Sequence, residues 1–254
     1  MSLNGKSALI TGATGAIGES ICVELLKNGV THLAAIDISS VEPVVVAKWR
    51  KNYPEASIRY FQVDVSSQEE LEKCFKDFTK NLRSLDIVVN CAGIFNENIP
   101  KTVIDVNLTG VILSSIIAIE YMRKDTGRGM GGVVLNIASI AGLNACSTAP
   151  TYSATKHAVV AYTRALAHER DYLGIKFLTL CPGCTDTKLF ANVFEFGFLT
   201  SKEKDSSLLN SYGVQSPEAV GKASVKYILE GKTGSVWIIE DNEIQEAPVP
   251  EIKF

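Results

Sequence analysis

The sequence has no block of like charges. Its 25 Lys and Arg stand against 28 Asp and Glu, a formal net charge of −3, and this balance excludes the basic footprint of a polyanion binder. No apolar run is long enough to span a bilayer: the greasiest stretch, residues 111–119, is broken by Ser114 and Ser115. Linkers, repeats and low-complexity breaks are missing too, so one domain over residues 1–254 is expected. The chain opens Met-Ser-Leu-Asn-Gly-Lys and runs straight into a strand pattern, which leaves no room for a signal peptide. Histidine is scarce. His32, His157 and His168 lack the acidic or thiol spacing of metal ligands. Cys22, Cys74, Cys91, Cys146, Cys181 and Cys184 are scattered, which fits buried thiols rather than a disulfide framework. The expectation is a cytosolic protein without nucleic-acid, membrane or metal partners.

What is present is a full core's worth of apolar residues, 46% of the chain. At this length a domain hides roughly 70–75% of the surface its unfolded chain exposes. Short β-branched runs at 6–10, 32–37, 58–65, 85–90, 132–139, 176–181 and 235–240 predict strands. Helical patterns lie between them, at 17–28, 107–124 and 151–172 among others. A helix after the second strand is expected to open at Ser39 or Ser40, with Pro43 in its first turn. Ser67-Gln-Glu-Glu70 reads as a capping box, ahead of Leu71, Cys74, Phe75 and Phe78 on one helical face. Ser216-Pro-Glu-Ala opens a last long helix, and residues 186–212 look irregular or helical. Strands linked by helices predict an α/β fold, a single-domain Rossmann-type doubly wound parallel sheet with helices on both faces. Its ligand belongs at the carboxyl ends of the strands.

Strand one ends in Thr11-Gly-Ala-Thr-Gly-Ala-Ile-Gly18 and leads into a helix. Glycines there let bare backbone approach a pyrophosphate at the positive helix end. The alternative is an ordinary glycine-rich strand–helix turn, but the strand–helix context favours dinucleotide binding. Asp37 closes the second strand, where a carboxylate accepts from both ribose hydroxyls and repels the extra phosphate of NADP. No Arg or Lys in the glycine turn or just after Asp37 reverses that preference, so NAD is favoured. The competing role for Asp37 is a cap in the Asp-Ile-Ser-Ser run.

Tyr152-Ser-Ala-Thr-Lys156 places two ionisable groups one turn apart on one helix face. An ammonium beside a phenol favours the phenolate and is expected to pull the Tyr pKa down. Taken alone, such a pair is more often a surface accident. It gains weight from Ser139, at the carboxyl end of the fifth strand, and from Asn107, placed to complete a polar relay.

With these residues in view, the chain resembles the short-chain dehydrogenase/reductase family over nearly its whole length. Thr11-Gly-Ala-Thr-Gly-Ala-Ile-Gly18 matches that family's glycine turn, with Gly12, Gly15, Ile17 and Gly18 as cofactor contacts. Asp64-Val65 matches its adenine-edge contact. Asn90-Cys-Ala-Gly93 resembles its Asn-Asn-Ala-Gly element, through Asn90, Ala92 and Gly93. Asn107, Ser139, Tyr152 and Lys156 fall in order on its four catalytic positions. Pro182-Gly183 with Thr187 resembles the segment that holds the nicotinamide carboxamide. The 132–139 strand, the Tyr-x-x-x-Lys-His run and the Pro-rich tail are most similar to the branch of insect alcohol dehydrogenases and hydroxyprostaglandin dehydrogenases.

The resemblance implies an NAD-dependent dehydrogenase for a secondary alcohol or its ketone. Tyr152 would be the general acid/base, Lys156 would lower its pKa and bind the nicotinamide ribose, Ser139 would orient the substrate oxygen, and Asn107 would hold a water. A homodimer or homotetramer is expected. Two departures stand out: Ala16 replaces the family's second glycine, and Cys91 replaces an Asn that supports the sheet. Residues 186–212 would form a substrate lid, where Leu189, Phe190, Phe194, Phe196, Phe198, Leu199, Leu208 and Leu209 either line an apolar site or anchor the lid. Leu113, Ile116, Ile117 and Glu120 form either an oligomer surface or sheet packing. Cys181-Pro-Gly-Cys184 mimics a redox dithiol but follows a strand, where no helix end lowers a thiol pKa. The rival readings are an NADP-linked carbonyl reductase and a catalytically silent cofactor-binding protein.

Overall fold

Every residue of β1 (Ser7–Thr11) is buried, as a strand covered on both faces must be. The computed structural model describes residues 2–168, 171–197 and 213–250. Around β1 lie β2 (His32–Asp37), β3 (Ser57–Gln62), β4 (Ile87–Asn90), β5 (Gly132–Ile137), β6 (Ile175–Pro182), β7 (Val236–Glu240) and β8 (Glu243–Glu246). Their order is β3-β2-β1-β4-β5-β6-β7-β8, parallel until β8 pairs antiparallel with β7. The chain winds outward from β1 to β3 and then returns beside β1 with β4. That reversal opens a crevice over the carboxyl ends of β1 and β4, where a doubly wound sheet binds its ligand.

Alternation along the strands sorts the core into two layers. Ala8, Ile10, Ile87 and Val89 pack toward α1 (Ala16–Lys27), α2 (Val44–Asn52) and α8 (Pro217–Glu230). Leu9 and Val88 face Leu71, Phe75 and Phe78 of α3 (Gln68–Thr79) and Met122 of α5 (Gly110–Met122). Each fully buried side chain of this size contributes about 1.5–3 kcal/mol. α1 and α8 touch at backbone level, since a Cβ on Gly221 would lie 2.7 Å from the Ser20 carbonyl oxygen.

Several boundaries differ from expectation for local reasons. Pro43, not Ser39 or Ser40, caps α2; the Ser39 hydroxyl donates to Val41 O and is spent in its own loop. Ser67 accepts from Glu70 N as a capping box requires, but the Glu70 carboxylate turns away to Asp64 N at 2.8 Å. β3 stops at Gln62, because Asp64 starts a turn by accepting from the Ser66 amide and hydroxyl. The helix expected from residue 107 begins earlier, with α4 (Pro100–Ile104), and reaches α5 through a π-turn at Asp105–Thr109. The tail was not expected to form a strand; it folds back as β8 through Asp241 and Asn242, both at positive φ (50° and 64°), as a two-residue hairpin needs.

Contrary to the sequence expectation that no apolar run reaches membrane length, the helical stretch Pro100–Met122 is long and apolar enough to cross a bilayer, yet its Val103, Val111, Ala118 and Met122 are buried in the fold. Of the candidate oligomer face, Ile117 is core and Leu113 packs against it, while Ile116 is 50% exposed and Glu120 is exposed.

Candidate active site

The glycine turn is shaped by two close approaches. Gly12 sits at φ +64°, and a Cβ there would lie 2.7 Å from Ala92 Cα. On Gly18, a Cβ would lie 2.0 Å from the Gly12 carbonyl oxygen. Gly15 needs no such freedom: its φ is −72° and its nearest would-be contact is 3.5 Å. It caps α1 without a side-chain hydrogen bond, which leaves the first-turn amides open to an anion. Ala16 is the first residue of α1, half-buried beside that opening, as is Ile17.

Asp37 closes β2 beside this turn. Its Oδ2 accepts from the Thr14 amide at 3.0 Å and the Thr14 hydroxyl at 2.6 Å, and its Oδ1 accepts from Ile38 N. The half-buried Asp37 carboxylate therefore takes the capping role, tying the glycine turn to the end of β2. Asp64 and Val65 follow directly, because Val63 N donates to Asp37 O. Val65 is seated against Gly110, where a Cβ would come within 2.9 Å of its side chain.

The loop after β4 is tied back to β1 by Thr11, whose Oγ1 accepts from Cys91 N and Ala92 N at 3.1 and 3.2 Å. Cys91, standing where the related family has Asn, therefore has its backbone held by Thr11, and burial pushes its thiol up to about 12. Asn90 turns its side chain into the core, donating to Ser115 and Asn136, while Asn136 donates to Thr163. Any contact of Asn90 with a ligand in the crevice falls to its main chain.

Two of the four expected catalytic positions, Asn107 and Lys156, flank Gly93, and Tyr152 lies beside Lys156. Asn107 is fully buried in the π-turn and holds Ile94 with both ends of its amide: Oδ1 accepts from Ile94 N at 2.8 Å, and Nδ2 donates to Ile94 O at 2.9 Å. A Cβ on Gly93 would stand 3.5 Å from Asn107 Oδ1 and 3.7 Å from Lys156 Nζ. Tyr152 and Lys156 share one face of α6 (Pro150–Ala167), with Nζ 5.5 Å from the Tyr152 ring centroid. Lys156 Nζ donates to Ile137 O at 3.0 Å, at the end of β5. Ser139 follows that strand, caps the turn Ile140–Gly142, and neighbours the Tyr152 phenol, whose pKa it pulls down. Gly142 brings this turn against α6, since a Cβ there would lie 2.7 Å from Lys156 O.

Electrostatics here depart from the expectation that lysine pulls the tyrosine down. Burial pushes the Tyr152 phenol up to about 12, with the Ser139 hydrogen bond pulling the other way. Burial also pulls Lys156 down to about 8. Proximity of the pair was readable from spacing, whereas the desolvation that outweighs it comes from the surrounding fold.

Pro182 ends β6, and Gly183 N donates to Ile239 O, which fixes the exit of the chain toward Thr187. Thr187 caps α7 (Lys188–Phe196), accepting from Phe190 N at 3.1 Å. Leu189, Phe190 and Phe196 are half-buried; Phe198, Leu199, Leu208 and Leu209 lie outside the described residues. The ends of the 186–214 segment meet where Gln215 Nε2 donates to Thr185 Oγ1 and Ile239 O and Asp186 N donates to Gln215 O. Cys181 is fully buried with its thiol pushed up to about 12, the Cys184 thiol is also raised, and both are free; this is the reverse of an activated dithiol. Among the described residues no group of three or more His, Cys, Asp or Glu could hold a metal ion.

Sequence reasoning missed Thr11, Thr14, Phe95, Glu97 and Gln215. Phe95 packs its ring 5.3 Å from that of Tyr152, and the Glu97 carboxylate accepts from the amides of Thr151 and Tyr152.

Comparison with known proteins identifies the family. The family model described as short chain dehydrogenase matches residues 6–196. Alcohol dehydrogenase 1 of Ceratitis cosyra is 32% identical over 241 residues, covering 94% of this chain and 93% of its own. The 15-hydroxyprostaglandin dehydrogenase (NAD+) of Mus musculus is 30% identical over 235 residues, covering 90% and 87%. The crystal structure of levodione reductase superposes with a TM-score of 0.81 at 25% identity, covering 94% of this chain and 97% of that one.

Proposed function

The chain belongs to the short-chain dehydrogenase family, and on that footing we propose that it is an NAD-dependent oxidoreductase moving a hydride between a secondary alcohol, or its ketone, and the nicotinamide. The observation that carries the reading is a connected cluster: Asn107 and Lys156 flank Gly93, Lys156 Nζ lies 5.5 Å from the Tyr152 ring centroid, and Ser139 neighbours the Tyr152 phenol. The relatives named above point the same way through their printed names, an alcohol dehydrogenase and an NAD+ enzyme of a hydroxyprostaglandin.

The bound nicotinamide supplies the hydride chemistry. The chain's own residues fit it: Gly12 and Gly18 form a bare backbone cradle, the open amides of α1 suit a pyrophosphate, and Asp37 suits ribose hydroxyls. In alcohol oxidation Tyr152 Oη takes the proton from the substrate hydroxyl, while Ser139 Oγ donates to the substrate oxygen and holds it. Lys156, anchored on Ile137 O, presents its charge beneath Tyr152 and stabilises the phenolate that must form. Asn107, fixed by Ile94, keeps a polar path open from Lys156 toward solvent. Because the phenol is held above its ordinary range, oxidation accelerates with rising pH, whereas ketone reduction uses the neutral phenol already present near neutrality.

Residues 186–212 act as the substrate lid. Apolar Leu189, Phe190 and Phe196 favour an apolar alcohol. Exposed Ile104 and Ile116 support a homodimer or homotetramer, and the free cysteines suit the cytosol.

The test is a screen of aliphatic, steroid and prostanoid secondary alcohols with NAD+, alongside NADH and NADPH fluorescence titrations. Tyr152→Phe is expected to lose at least about a hundredfold in kcat while NADH affinity is kept. Tighter binding of NADPH than NADH would instead identify an NADP-linked carbonyl reductase. Cofactor binding with no turnover on any alcohol or ketone would identify a silent binder.

A further inference from the structure

The helix that carries Tyr152 begins without a cap of its own. Its N-cap residue is Ala149, which offers no side-chain acceptor, and Pro150 in the first position has no amide hydrogen. Ser153 N finds Ala149 O at 2.8 Å. That leaves the amides of Thr151 and Tyr152, and both are taken by one side chain from another part of the chain. Glu97 Oε2 accepts from Thr151 N at 3.0 Å, and Oε1 accepts from Tyr152 N at 2.9 Å.

Glu97 is 3% exposed. A carboxylate buried so far needs compensation, and the positive end of α6 with its two amides supplies it. The rest of its stretch is committed to the same corner. The Ile94 main chain is held by Asn107, the Phe95 ring lies against Tyr152, and Glu97 N donates to Phe196 O at the end of α7.

We propose that Glu97 is a positioning residue for Tyr152, acting as a cap delivered to α6 from the loop after β4. This rests on the reading of Tyr152 as the acid/base. Tyr152 lies in the first turn, the part of a helix that frays when its amides lack partners. Lys156 lies one turn deeper and is fixed independently by Ile137 O and by the packing of Gly142. Without Glu97, Tyr152 loses its register with Ser139 while Lys156 and the glycine turn stay in place, so turnover falls and cofactor affinity does not. The brace also joins the first turn of α6 to the lid helix, through the Glu97–Phe196 hydrogen bond.

The experiment compares Glu97→Gln, which keeps the shape and one accepting oxygen, with Glu97→Ala and Glu97→Asp in NADH-loaded protein. Amide hydrogen exchange is followed over residues 150–156, and octan-2-ol oxidation with NAD+ is followed in parallel. The expected result is faster exchange at residues 151 and 152 in the Gln and Ala variants, with wild-type exchange in β1 and α1. Turnover should fall about tenfold for Gln and about a hundredfold for Ala, the scale of a misplaced catalytic group, with part of it restored in Asp. NADH affinity should stay within about twofold of wild type, because Lys156 and the cradle do not depend on Glu97.

Wild-type exchange at residues 151 and 152 would overturn the proposal. So would faster exchange with undiminished kcat, or a loss of NADH affinity in step with kcat. Should Glu97→Ala fail to fold, Glu97→Gln decides alone. If the wild type does not oxidise octan-2-ol, the reading of function is what fails for that alcohol, and exchange at residues 151 and 152 still decides whether Glu97 holds Tyr152.

Discussion

Asp37 and Thr14 are joined twice, through the Thr14 amide at 3.0 Å and its hydroxyl at 2.6 Å. The carboxylate proposed to select the ribose is therefore also a tether for the glycine turn, and the two duties can be separated. Asp37→Asn is expected to weaken NADH about tenfold and to narrow the gap to NADPH, because the repelling charge is gone. Thr14→Val removes only the hydroxyl partner and should weaken both cofactors alike. Fluorescence titration of both variants with both cofactors is the measurement. Equal behaviour of the two variants would assign Asp37 to the turn rather than to the ribose.

The glycines of the turn differ in what they must be. Gly18→Ala drives a methyl into the Gly12 carbonyl, 2.0 Å away, and should cost about 1–3 kcal/mol or more of stability along with NADH binding. Gly15→Ala meets an ordinary 3.5 Å contact at a φ any residue adopts. Its stability should be unchanged or raised, by up to about 1 kcal/mol, because the unfolded chain loses freedom. Denaturant melts of the two variants check this ordering.

Lys156 is 4% exposed, and burial pulls its ammonium down to about 8 from the usual 10.5. The folded chain thus holds this proton less tightly than the unfolded one. Below about 8 the buried charge is at its most unfavourable, and the penalty fades as pH rises to about 10.5. Lys156→Met should therefore lose turnover but melt higher at pH 7, by up to roughly 3 kcal/mol. That advantage should disappear by about pH 10.5. Thermal melts of both proteins between these limits test it, and an offset independent of pH would refute it.

Gln215 clasps the base of the proposed lid segment, with Nε2 donating to Thr185 Oγ1 and Ile239 O. Removing two such bonds at about 0.5–1.5 kcal/mol each makes local opening roughly tenfold or more frequent. Gln215→Ala should show faster proteolysis within residues 186–214 and a higher KM for the alcohol, with NADH affinity kept. Limited proteolysis with mass readout of the cut sites is sufficient.

Much of the molecule was legible because its signals are local. The glycine turn, Asp37 at a strand end, the Tyr152–Lys156 spacing and the Ser67 and Ser216 caps each depend on neighbours within a turn or two, and β2 falls where its short apolar run placed it. What was missed depends on contacts across the chain. Glu97 sits in a polar loop and reads as a solvated acid, because its partners lie 54 and 55 residues onward. Thr11 reads as part of a strand until the loop after β4 arrives beside it. Asn90 carries the right motif, yet Ser115 and Asn136 draw its side chain into the core. The Tyr152 pKa went astray for the same reason, since charge spacing is written in the sequence and burial is not. β8 was an avoidable omission: Asp241-Asn242 between two short β-prone runs is a hairpin signal. Residues 198–212 lie outside the described residues.

The reversed strand at the end of the sheet bears on how copies of this protein can meet. A parallel sheet ending on β7 would present a row of unpaired backbone groups with Trp237, Ile238 and Ile239 beside it, an invitation to strand-by-strand aggregation. β8 covers that row and puts Glu243, Gln245 and Glu246, all exposed, at the rim. A second copy adding edge to edge there would bring carboxylates against carboxylates. At this end of the sheet the charged rim therefore disfavours strand-by-strand addition of a second copy.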